Sequence, residues 1–140
     1  MKFITFCLLA TFNFCAFVNG VPVVCDFFTN ESFYVCGVKY IEITSKYDRT
    51  ITQVVGDHEE GKTDDDVDYF QSLGHTIKYF PLELGKKFKN LDTLVINNSS
   101  MVEINASDLQ QFGASFKSFN IQNCDIEVLE AGLFNNMPNL

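Results

Sequence analysis

Apolar residues in the second half of the chain recur in sets of five with one internal spacing. Phe116, Phe119, Ile121, Cys124 and Ile126 form one set. Twenty-five residues earlier stand Leu91, Leu94, Ile96, Ser99 and Met101, and 24 before those stand Val67, Phe70, Ser72, His75 and Ile77. The earliest set is the weakest, because Ser72 occupies a position that is apolar in the other two. In each set the alternation in the middle predicts a short strand, with Leu94 and Ile96 pointing inward and their neighbours outward. A second apolar group follows each strand at matching offsets: Phe80, Ile104 and Leu129, then Leu84 with Phe88, Leu109 with Phe112, and Phe134 with Met137. Pro81 closes the turn after Phe80 and opens a return segment, expected to be partly helical or 3-10. One such coil cannot bury its apolar side alone, whereas a stack of them can.

The N-terminus follows a different pattern. Met1 and Lys2 precede an apolar run from Phe3 to Val18, which is shorter than the roughly 20 residues of a membrane-spanning helix. Val18-Asn19-Gly20 supplies small residues at the spacing a signal peptidase reads, so residues 1–20 read as a secretory signal cleaved before Val21. The remaining 120 residues suffice for one modest domain. With Lys2 gone, nine basic residues face 18 acidic ones, a net charge of −9. Such a chain is a poor match for nucleic acid or for anionic membranes. Asn30-Glu-Ser32, Asn97-Asn-Ser99, Asn98-Ser-Ser100 and Asn105-Ala-Ser107 are N-glycosylation sequons, and with the leader they point to a secreted, extracellular glycoprotein.

The set beginning at Phe116 fits L-x-x-L-x-L-x-x-N/C-x-L, with Cys124 at the N/C position. On these residues the chain resembles the extracellular leucine-rich-repeat proteins. The repeat, together with Ile51 to Gly61 (I-T-Q-V-V-G-D-H-E-E-G), is most similar to secreted repeat proteins of insects. The resemblance implies an α/β leucine-rich-repeat solenoid, with a parallel β-sheet on its concave face and an N-terminal disulfide-closed β cap. The expected organisation is a signal at 1–20, a cap region at 21–66, and repeats at 67–90, 91–115 and 116–139, with a fourth starting at Leu140.

In that frame Val23-Val24-Cys25 and Phe33-Tyr34-Val35-Cys36 read as a hairpin around the polar run Thr29-Asn30-Glu31-Ser32, stapled by Cys25–Cys36, with Asn30 at its tip. Cys124 is then a lone thiol that donates weakly to the backbone. His58 and His75 are too few and too far apart for a zinc site. The acidic run Asp57, Glu59, Glu60, Asp64, Asp65, Asp66 and Asp68 lacks the alternation that wraps calcium. It reads as a solvated loop. No metal, cofactor or catalytic residue is expected, since no nucleophile-and-base signature or phosphate-binding loop is present.

The outward strand positions define an expected ligand face: Tyr69, Gln71 and Leu73; Thr93, Val95 and Asn97; Ser118, Asn120 and Gln122. This surface hydrogen-bonds and is mostly uncharged, with Tyr69 and Val95 as anchors, and it suits a protein or glycan ligand. A glycan on Asn97 would obstruct it, whereas one on Asn98 would sit nearer the rim. The expected function is non-catalytic recognition or adhesion outside the cell. The rival expectations are a matrix component that oligomerises, as a homodimer through the open Leu140 end, or a fragment with no function alone.

Overall fold

The computed structural model describes residues 20–140 and, before them, only the backbone of two short antiparallel strands, β1 (Ile4–Cys7) and β2 (Cys15–Val18). The signal peptide expected over residues 1–20 falls on that leading segment, outside the residues described in full. From Val21 the elements are β3 (Val21–Asn30), β4 (Phe33–Tyr40), β5 (Glu42–Ile43), β6 (Ile51–Val55), a 3-10 turn at Asp64–Asp66, β7 (Tyr69–Leu73) and β8 (Thr76–Ile77). They continue with α1 (Leu84–Lys87), β9 (Thr93–Asn97), β10 (Glu103–Ile104), α2 (Ala106–Leu109), β11 (Ser118–Gln122) and β12 (Val128–Leu129).

One six-stranded sheet, in the order β11-β9-β7-β4-β3-β6, organises the molecule. Strands β4, β7, β9 and β11 run parallel, β3 is antiparallel to β4, and β6 is parallel to β3. On the inner side Cys36 pairs with Phe70, Phe70 with Leu94 and Leu94 with Phe119. Cys36, Phe70 and Leu94 are fully buried. The chain then turns across a second layer of short parallel ladders, β5 with β8 and β10 with β12. Ile43, Ile77, Phe80, Leu84, Phe88, Met101 and Ile104 fill the space between the layers, in one core that includes the hairpin's Val23, Cys25 and Phe27.

This arrangement corrects the expected fold class. The chain does not form an α/β leucine-rich-repeat solenoid with an all-parallel sheet. Its main sheet is mixed, strands occupy 42% of the chain, and the α-helices among the described residues are two four-residue turns. There are two physical reasons. The β3–β4 hairpin does not sit apart as a lid, since β4 pairs directly with β7 and brings an antiparallel partner into the same sheet. The return segments also hold apolar residues for only one helical turn each, Leu84 with Phe88 and Leu109 with Phe112. Pro81 and the left-handed Glu83 (φ 66°) confine the first of these, and Gly113 follows the second.

Strands β7, β9 and β11 each leave the sheet through a left-handed residue: Gly74 (φ 75°), Asn98 (φ 54°) and Asn123 (φ 52°). Gly and Asn are the residues that tolerate this conformation best. The turns are tied to the next strand, with Gly74 N–H donating to the Asn97 carbonyl and Asn98 N–H to the Gln122 carbonyl.

Ser72, the polar interruption of the apolar pattern, is fully buried on the inner side, and its hydroxyl lies 3.1 Å from His75 Nδ1. A second buried polar contact joins Arg49, in the segment between β5 and β6, to Asp108 on α2 at 2.9 Å. Arg49 also donates to the Phe80 carbonyl, and the Asn105 N–H donates to Asp108 Oδ2.

Cys25 and Cys36 form a disulfide across the hairpin, buried against the same core. Replacing both by serine should lower the free energy of unfolding by about 2–4 kcal/mol. Urea unfolding of the two proteins would measure this. A change below roughly 1 kcal/mol would mean that strand pairing alone holds the hairpin.

Candidate binding face

The side of the main sheet opposite the core is a grid set by the strand register. One row runs Phe28, Val35, Tyr69, Thr93, Ser118 across five strands. The next runs Asp26, Gly37, Gln71, Val95, Asn120, and a shorter row holds Leu73, Asn97 and Gln122. All nine residues expected at the ligand face therefore stand together on β7, β9 and β11, in three columns of three.

They are not equally available. Leu73 (52% exposed), Ser118 and Gln122 are open to solvent, while Tyr69, Gln71, Val95, Asn97 and Asn120 are half-buried. Thr93 is buried, and its hydroxyl is taken by Asp92 Oδ1 at 2.9 Å. Asn97 Oδ1 accepts from Asn123 Nδ2 at 2.9 Å, whereas Asn98 is exposed beside it.

Sequence reasoning missed the extension of this face onto the hairpin. Phe28 and Phe33 share it, and the Phe33 and Tyr69 rings lie with centroids 5.4 Å apart. Phe28, Asn30, Glu31, Phe33, Val35, Tyr69 and Gln71 line a shallow depression of about 230 Å³. Gly37 makes room for it, because a Cβ there would come within 3.0 Å of the Phe28 ring. The available signal was the alternation Phe28-Asn30 and Phe33-Val35, hidden by treating the hairpin as a separate cap.

The acidic segment between β6 and β7 is ordered against the hairpin's inner side. His58 stacks on Phe27 at 3.9 Å, approaches the Tyr34 hydroxyl through Nδ1 at 3.1 Å, and meets Asp64 through Nε2 at 2.9 Å. Thr29 donates from its N–H and its hydroxyl to the Glu59 carboxylate, and Tyr34 N–H donates to Asp68 Oδ1. The expected solvated loop is thus a clasp over one end of the hairpin. Among the described residues no group of three or more His, Cys, Asp or Glu is placed to hold a metal ion.

His75, Ser99 and Cys124 occupy equivalent turn positions. Ser99 Oγ lies 3.2 Å from Cys124 Sγ, and the Cys124 thiol donates to the Gln122 carbonyl at 3.2 Å. Ser72 is enclosed, so its contact with His75 presents no nucleophile to the surface.

No protein-family profile, curated protein or solved structure matches this chain, and nothing in those comparisons places it among the leucine-rich-repeat proteins.

Electrostatics favour the folded state where the carboxylates are charged. The hydrogen bond from Lys117, followed by that from Thr93, holds Asp92 below the usual carboxylate range. Thr29 lowers Glu59, chiefly through its hydroxyl, and the Thr63 N–H lowers Asp66. A group whose pKa is depressed by folding binds protons more readily when unfolded, so acid favours unfolding. The contribution is complete above the ordinary carboxylate range near pH 4 and is lost as pH falls through the folded values. The urea midpoint should therefore drop steadily below about pH 4.5, and Asp92→Asn should flatten part of that slope. An unchanged slope in the variant would show that the Asp92–Lys117 contact does not contribute.

Proposed function

We propose that this chain is an extracellular, non-catalytic binding module that meets a protein or glycan partner through the outer side of its main sheet. The carrying observation is the grid on β7, β9 and β11. Its nine positions hold no charged residue, although a fifth of the whole chain is charged. Depletion of charge at the centre of a surface, with aromatic and aliphatic side chains among amides and hydroxyls, suits an interface core. Tyr69, Val95 and Leu73 supply apolar contact, and Gln71, Asn97, Asn120 and Gln122 supply hydrogen bonds. The extracellular setting is supported by the N-terminal leader, the sequons and the Cys25–Cys36 disulfide, a bond that persists in oxidising compartments. No helix among the described residues is long and apolar enough to cross a membrane.

A second reading rests on the other end of the array. β11 is the edge strand of the main sheet, and Val128 (69% exposed), Leu129, Phe134 and Leu140 are exposed beside it. An open edge flanked by apolar side chains suits pairing with a second copy, or stacking of further chain, in a structural or oligomerising role.

Val95 sits at the centre of the grid, so Val95→Arg separates the two readings. Screening wild type on arrays of extracellular proteins and glycans should yield a ligand whose binding falls at least tenfold in Val95→Arg. Binding should be unchanged in Tyr47→Ala, which alters a residue 98% exposed and outside the grid. Equal binding by Val95→Arg, with its circular dichroism and melting unchanged, would remove the outer side as the binding surface. Light scattering across a concentration series addresses the second reading. A dimer insensitive to Val95→Arg but lost in Leu129→Glu would favour it.

A further inference from the structure

We propose that Asn30 carries an N-linked glycan whose first sugar packs into the aromatic depression on the hairpin, so that the glycan completes this end of the sheet. The inference rests on the extracellular reading above, since N-glycosylation requires the secretory route. Three observations lead to it.

The first is register. Phe28 and Asn30 are two residues apart on β3 and so share one side of the strand, the outer side. Ser32, the third residue of the sequon, stands in the two-residue turn that joins Asn30 to its partner Phe33. Glu31 between them takes a left-handed conformation (φ 54°), which reverses the chain and leaves Asn30 exposed. An acceptor presented at an exposed turn is accessible for attachment.

The second is unfilled apolar surface. Phe28 lies over the bare backbone of Gly37 and is 36% exposed, and Phe33 leans on Tyr69 beside it. Asn30 itself lines the depression that these rings form. The apolar face of a pyranose is suited to a phenyl ring, and a tethered sugar reaches it at a high effective concentration.

The third is contrast with the other sequons. Asn97 is half-buried and bonded through Oδ1 to Asn123. Asn98 is exposed in the turn after β9, and Asn105 lies at the start of α2 with its N–H on Asp108. None of these has an aromatic residue two positions earlier: Val95, Ile96 and Glu103 stand two before Asn97, Asn98 and Asn105. The sugar would lie on the hairpin side of Tyr69, which with Gln71 lines the depression, and would leave the grid positions on β9 and β11 open.

The test uses the full chain expressed with its leader in a eukaryotic host. Peptide mass spectrometry should find Asn30 occupied. Trimming the glycan to a single N-acetylglucosamine should leave the melting temperature unchanged, and blocking attachment with Asn30→Gln should lower it by about 4 °C, the scale on which a modest contact moves a domain of this size. In the Phe28→Ala background the glycosylated and Asn30→Gln forms should melt together. Upfield ring-current shifts of the first sugar's protons, present in wild type and lost in Phe28→Ala, give a readout independent of stability. An occupied Asn30 without those shifts, or a glycan effect that survives Phe28→Ala, overturns the proposal. So does an empty Asn30 in a chain glycosylated at Asn98 or Asn105, which leaves the extracellular reading standing. A chain that is retained inside the cell with no sequon occupied overturns both.

Discussion

The structure depends on one inward column, Cys36 to Phe70 to Leu94, passing from strand to strand in register. Side chains on a strand alternate between faces, so a slip of one residue would put these groups in water and bring Val35, Tyr69 and Thr93 into the core. Burial of three apolar groups on adjacent strands fixes the pairing of β4, β7 and β9. That pairing in turn places the outer residues in rows. The placement of the candidate face thus follows from the core, although Thr93, buried and bonded to Asp92, is held by the fold itself. The disulfide acts on the same column, because Cys36 is its first member.

Much of this was legible in the sequence, and the limits have physical causes. The strands over Tyr69–Leu73, Thr93–Asn97 and Ser118–Gln122 follow from alternation, because a half-buried strand has a strict period of two. The hairpin was legible from two β-prone runs around a polar turn. Its place in the sheet was not, because strand pairing between β4 and β7 is a relation across 34 residues that no local period encodes. The same gap produced the error of class. A pattern of repeated apolar sets says how often the chain crosses the core and leaves open whether the return path is helical. Here it is mostly short ladders and single turns.

Local chemistry was also informative where it had been passed over. Gly74, Asn98 and Asn123 are spaced like the strands they follow and are the residue types that accept a left-handed backbone. Ser72 weakened its apolar set because it is buried as half of a pair with His75, and an inward polar residue with a nearby histidine is hard to tell from a broken pattern. Arg49 and Asp108 are similar. They are 59 residues apart in sequence and meet only once the coils are stacked.

Burial along the stack falls toward one end. Leu94 and Ile96 on β9 are fully enclosed, whereas their counterparts Phe119 and Ile121 on β11 are only partly so, and Val128 and Leu129 beyond them are exposed. Local opening costs least where the fewest apolar contacts are lost, so the molecule has a direction of fraying. On this ground amide exchange is expected to be faster on β11 than on β9. The β11 side of the outer face is thus the less firmly held, and any partner spanning all three strands would have to order that side as it bound.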